Sequence, residues 1–94
     1  MMLFDSLEEI RLEVKKLIIE TLKFENVKPE DIIDDVSFFS GENTIKIDSI
    51  DVIELVVSVQ KKFDVKIDDQ NLAKDVINTV NSISEFVYAQ HHKS

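Results

Sequence analysis

One glycine (Gly41) and one proline (Pro29) in 94 residues constrain this chain more than any other feature. Each tight turn between strands draws on residues that tolerate positive φ or preset φ, and a fold built of many short strands needs them repeatedly. Helices need neither residue in their interiors. The expected fold class is therefore all-α. The length suits one compact domain, placed at residues 1–90, and the 44% of apolar residues supply one modest core. His91-His92-Lys93-Ser94 reads as a frayed tail.

Local signals divide the chain into four helices of unequal length. Ser6-Leu7-Glu8-Glu9 has the form of a capping box opening a helix that runs to about Leu22. Leu7, Ile10, Val14, Leu17 and Ile18 fall within one arc of roughly 100° at 3.6 residues per turn, which faces them to the core. Lys28-Pro29-Glu30-Asp31 predicts a break and a single turn. A long connection follows from Val36 to Ile47, anchored by Phe38, Phe39, Ile45 and Ile47, with a loose centre at Ser40, Gly41, Asn43 and Thr44. The second helix starts at Asp48-Ser49-Ile50-Asp51 and reaches about Phe63. A short third helix is expected around Asp69 to Asp75. A fourth is expected from Thr79 to about Gln90, with Val80, Ile83, Phe86 and Val87 inward.

Composition narrows the function. Nineteen acidic against eleven basic residues give a net charge of −8, which opposes nucleic acid and anionic membrane surfaces and favours basic proteins as partners. No apolar run approaches the roughly 18 residues of a membrane span, and Met1-Met2-Leu3-Phe4-Asp5 lacks the basic n-region of a signal peptide. A cytoplasmic, monomeric chain with no membrane insertion is the expectation. Without cysteine, the chain has no disulfide, no thiolate metal site and no thiol of its own. Asp64, Asp68 and Asp69 do not follow a calcium-loop spacing, and no metal site or catalytic group is expected.

Charge is also uneven. Residues 25–54 hold nine acids and two bases, a net −7 of the chain's −8. This segment is either a solvated face or a docking surface for basic partners. Within the second helix, Val52, Leu55, Val56, Val59 and Phe63 gather on one side and suit the core. Ile50, Ile53 and Val57 form a second apolar strip beside Asp51 and Glu54, either offered to a partner or covered by the preceding loop. Ser49 is an ordinary candidate for a helix cap. Asp48, with Asp51 three residues on, can take that position instead and leave the Ser49 hydroxyl free at a helix end that favours anions. No G-x-S-x-G elbow surrounds Ser49, which argues against a catalytic nucleophile.

Asp48-Ser49-Ile50-Asp51-Val52-Ile53-Glu54-Leu55-Val56 resembles the stretch around the modified serine of the acyl carrier proteins. Lys62-Phe63-Asp64-Val65-Lys66-Ile67, Thr79-Val80 and Val36-Ser37-Phe38 resemble other parts of that family in register, so the likeness covers nearly the whole chain. It implies a small four-helix bundle with a long loop between helices 1 and 2 and a short helix 3. It also implies a 4′-phosphopantetheine arm taken from coenzyme A and joined to Ser49 by a phosphopantetheinyl transferase, with Asp48 beside it. The arm would supply the missing thiol and hold acyl groups as thioesters. The protein would then be a carrier and not an enzyme.

By the same resemblance, Asp48, Ile50, Asp51, Ile53, Glu54 and Val57 would meet the basic docking patches of acyl-transfer and condensing enzymes. Phe38, Leu55, Val59, Ile67 and Ile77 would line an acyl pocket. The sequence departs from the family at Lys46-Ile47, in a longer loop before Ser49, at Gln60-Lys61-Lys62 and at Asp68. Fatty acid biosynthesis is therefore one expectation, and a specialised carrier for polyketide, lipid-tailoring or aminoacyl chemistry is another. An unmodified helical adaptor is the reading from a different class.

Overall fold

A computed structural model describes residues 6–92. Four helices form in chain order: α1 (Leu7–Leu22), α2 (Ser49–Phe63), α3 (Gln70–Val76) and α4 (Val80–His91), with a 3-10 turn at Pro29–Asp31 between the first two. No strand occurs among the described residues, and no described helix is long and apolar enough to cross a membrane. The initial segment Met1–Asp5, read above for a signal peptide, lies outside the described residues, as do Lys93 and Ser94.

Each helix begins where a side chain can replace a missing partner for its first amides. Ser6 accepts from the Glu9 N–H at 3.1 Å, Asp69 from Asn71 at 3.1 Å and Thr79 from Ser82 at 2.8 Å. Glycine-poor helices end less comfortably. Lys23 and Asp64 take the left-handed conformation after α1 and α2, at φ 56° and φ 53°, where a side chain crowds its own backbone.

The core joins one stripe from each long helix: Ile10, Val14 and Ile18 of α1, Leu55, Val59 and Phe63 of α2, and Val80, Ile83 and Val87 of α4. Helix α1 packs most extensively, against α4 and then α2, while α3 touches α4 and α2 more lightly. At the α1–α2 seam, Thr21 donates to Ser58 at 3.0 Å and Lys62 pairs with Glu13 at 3.1 Å. The expected frayed tail begins later than predicted, because α4 continues through His91, whose Nε2 donates to the Phe63 carbonyl. The His92 ring stacks on Tyr88 with centroids 4.0 Å apart.

The long connection is more ordered than its composition predicts. Phe38, Ile45 and Ile47 are buried, as expected of anchors. Phe39 is not an anchor: with the Phe38 ring committed to the core, its neighbour projects outward and stays exposed. The expected loose centre is hydrogen-bonded. The Asn43 side chain donates to the carbonyls of Ile33 (3.0 Å) and Val36 (2.9 Å) and accepts from Ile33 N–H (3.1 Å). Thr44 Oγ1 donates to the Asp31 carbonyl. One asparagine thus does locally what a strand partner would do.

Two consequences are measurable. Lys23 is exposed and holds positive φ, so Lys23→Gly should stabilise the fold by about 0.5–1 kcal/mol, raising the melting temperature by roughly 2–8 °C. At Glu13, burial pushes the carboxyl pKa up, but the hydrogen bond and charge of Lys62, reinforced by Lys16, outweigh it and hold the pKa below the usual 4.5. Its stabilising contribution is therefore complete above pH 4.5 and is lost as pH falls through the lowered folded-state value. Denaturant titrations across that range should show Glu13→Gln removing a part of the acid loss worth about 0.5 kcal/mol, the scale of a partly exposed pair.

Candidate functional site

The start of α2 is fixed by two carboxylates. Asp48 Oδ1 accepts from the Asp51 N–H at 2.9 Å, and Asp51 Oδ2 accepts from the Asp48 N–H at 3.2 Å. This reciprocal box puts Asp48 at the cap and Ser49 in the first helical turn. The Ser49 side chain is exposed, and its hydroxyl has no hydrogen-bond partner among the described residues. Of the two readings of this serine, the cap is thus taken by Asp48. A free, accessible hydroxyl at the amino end of a 15-residue helix suits a phosphate ester, because the helix end carries partial positive charge.

Around Ser49, α2 presents its second apolar strip to solvent. Ile50 is 67% exposed, Ile53 65% and Val57 45%. The loop from Val36 to Ile47 does not fold over them, since its apolar anchors Phe38, Ile45 and Ile47 point into the core. Glu54 is exposed beside the strip and forms no ion pair among the described residues, whereas Asp51 is half-buried and spends one oxygen on the cap. Elsewhere in the acidic segment Asp34 is occupied by α1, with Lys15 at 2.5 Å and Arg11 at 3.8 Å. Asp31 accepts from the Lys28 N–H at 3.0 Å. The exposed carboxylates of this segment that form no ion pair among the described residues are Glu25, Glu30, Asp31, Asp35, Glu42, Asp48 and Glu54, and of these Asp48 and Glu54 lie at the start of α2 beside Ser49 and the strip.

A groove of about 640 Å³ runs between α2 and α3 from Ser49, lined by Val52, Ile53, Val56, Val57, Ile67 and Ala73. Asp68, Asp69, Lys74 and Asn78 border it, and Phe39 lines it from the preceding connection. Among the residues expected in an acyl pocket, only Ile67 lines this groove. Phe38, Leu55, Val59 and Ile77 are instead fully buried in the core. The physical reason is rotation about α2: Val52 and Val56 lie about 60° around the helix from Leu55 and Val59, so one pair turns toward α3 and the other inward.

Two contributors escaped the sequence. Gln60 stood out only as a departure from the family, yet its Oε1 accepts from the Ile67 N–H at 2.8 Å and holds Ile67 beside the groove. Phe39 carried no signal because a loop has no period. Val52 and Val56 were expected on the core side with Leu55, Val59 and Phe63; they pack against the core only partly buried and line the groove as well.

Comparison with known proteins agrees with this geometry. The phosphopantetheine attachment site family matches residues 13–87. The acyl carrier protein of Buchnera aphidicola subsp. Acyrthosiphon pisum (strain Tuc7) is 32% identical over 87 residues, covering 93% of this chain and 99% of the relative. That of Buchnera aphidicola subsp. Schizaphis graminum is 28% identical over 87 residues, covering 93% of this chain and all of the relative. With an exposed serine hydroxyl, an apolar strip and an apolar groove in one place, and a family match over most of its length, the chain belongs to the acyl carrier proteins, which carry covalently attached 4′-phosphopantetheine.

Proposed function

We propose that Ser49 is the attachment residue, that a phosphopantetheinyl transferase modifies it with coenzyme A as donor, and that the protein presents acyl intermediates to enzymes of fatty acid or related biosynthesis in the cytoplasm. The observation that carries this reading is the Asp48–Asp51 box, which relieves Ser49 of capping and leaves its hydroxyl without a partner among the described residues. When bound, the arm supplies the thiol that no cysteine of the chain provides.

The chain's own residues do the remaining work. The helix end favours the negative charge of the phosphodiester that Ser49 would carry. Asp48 and Glu54 draw in the basic patch of a partner, and the association is fast and salt-sensitive because these charges are exposed. Ile50, Ile53 and Val57 then exchange water for apolar contact with the docked enzyme. Between encounters the α2–α3 groove receives cargo. Its walls of Val52, Val56 and Ile67 favour hydrocarbon, each buried methylene being worth about 0.8 kcal/mol. The carboxylates of Asp68 and Asp69 at the border disfavour an anionic tip.

Intact mass after incubation with coenzyme A and a promiscuous transferase should rise by one phosphopantetheine in the wild type and not in Ser49→Ala, with both proteins equally folded by circular dichroism. A folded wild type that gains nothing from several transferases would sink the attachment reading. Glu54→Lys leaves the cap intact and should weaken transferase binding on the order of tenfold at low salt, with the difference shrinking above about 0.5 M as exposed charges are screened. Titrations of both proteins across a salt series measure this.

A further inference from the structure

The α2–α3 groove has one aromatic residue in its lining, and that residue comes from outside both helices. Phe39 comes from the connection between α1 and α2 and lines the groove together with Ser49. It is 46% exposed and lies outside the set of residues packed on the core. The backbone beneath it is nevertheless held firmly. Phe38 N–H donates to the Asn78 carbonyl at 2.9 Å, and the Phe38 ring is buried. Phe39 N–H donates to Ser37 Oγ at 3.2 Å, and that hydroxyl donates to Asn78 Oδ1 at 2.7 Å. Asn78 itself borders the groove between α3 and α4. A large apolar ring is thus carried on a fixed ledge tied to Asn78, another lining residue of the groove.

We infer that Phe39 is a specificity-determining residue of the carrier: its ring turns over the groove mouth and covers an uncharged hydrocarbon acyl group lying between α2 and α3. The inference rests on the carrier reading with cargo tethered at Ser49. A change of side-chain rotamer is enough, because the backbone at 38 and 39 is already anchored beside the groove. The ring has apolar surface to remove from water, and only a chain long enough to occupy the groove offers apolar surface in return. An acetyl group is too small to fill the space along Val52 and Val56, so Phe39 gains nothing by closing on it. The residue therefore discriminates by chain length, protecting medium-length cargo and leaving short cargo open.

The test loads wild type, Phe39→Ala and Phe39→Leu with acetyl or octanoyl groups, using the corresponding acyl-coenzyme A and a promiscuous transferase, with Ser49→Ala as the control. Thioester cleavage by hydroxylamine is followed by intact mass, and each rate is divided by that of the same acyl-coenzyme A free in solution. In the wild type the octanoyl ester should be cleaved about tenfold more slowly than the acetyl ester, the scale expected for burying half an aromatic ring. Phe39→Ala should bring the two within about twofold by raising the octanoyl rate alone, and Phe39→Leu should fall between. Loading that succeeds with an unchanged ratio in Phe39→Ala overturns the inference and leaves the carrier reading intact. Slower loading of that variant with the ratio kept also overturns it, since the ring would then be a partner contact. Failure of the wild type to load at Ser49 overturns both.

Discussion

The exchange of hydrogen bonds between Asp48 and Asp51 is the interaction on which the functional half of this molecule depends. It sets where α2 begins, and because a helix advances about 100° per residue, a fixed start fixes the direction of every side chain that follows. Ser49 falls in the first turn with nothing to cap, Leu55 and Val59 face the core, Val52 and Val56 face α3, and Ile50, Ile53 and Val57 face solvent. A start one residue later would make Ser49 the cap and engage its hydroxyl with its own backbone. Two carboxylates at a helix amino end are also electrostatically suited to their place, so the box needs no help from the rest of the fold.

That phase gives α2 three faces with different duties. The inward face packs against α1 and contributes Leu55, Val59 and Phe63 to the common core. The face toward α3 is left incompletely filled, and the outward face is left bare. Exposed Ile50 and Ile53 would favour self-association in a neutral protein. Here they sit inside a segment of net −7, and two copies approaching through this surface would repel each other while a basic partner would not. Charge therefore acts here as a filter on which surfaces can cover the strip.

The helices were legible because local signals agree with one another: few helix breakers, caps at Ser6, Asp48 and Thr79, and apolar residues at helical spacing. The observed boundaries fall within a residue or two of those expected. Ser49 and the outward strip were equally readable, since both follow from position on a helix. What was not readable involves contacts between segments distant in sequence. The Asn43 bridge to Ile33 and Val36, the Asn78 junction with Ser37 and Phe38, and the grip of Gln60 on Ile67 leave no periodic trace. The same limit explains why Phe39 looked like a second anchor beside Phe38, and why Val52 and Val56 looked like members of the core stripe alone. Hydrophobicity says that a residue avoids water, while only the packing of partners says which side of the helix stays unfilled.

The unfilled side is also the side most able to yield. Helix α3 has seven residues, too short to be stable on its own, and it touches its neighbours more lightly than α1 does. Its groove-facing Ala73 is small, so little packing is lost when α3 moves away from α2. Three ties limit that movement: Gln60 fixes Ile67 just before α3, Ser82 Oγ donates to the carbonyl of Val76 at its last residue (2.6 Å), and Asn78 fixes the chain just after it to the Phe38 ledge. A short helix held at both ends can shift sideways without unravelling, and local opening of this kind costs less than opening the α1–α4 core. The same division that concentrates cohesion in α1, α2 and α4 therefore leaves a wall that can adjust to what lies behind it, with its two hinges named by side chains rather than by glycines.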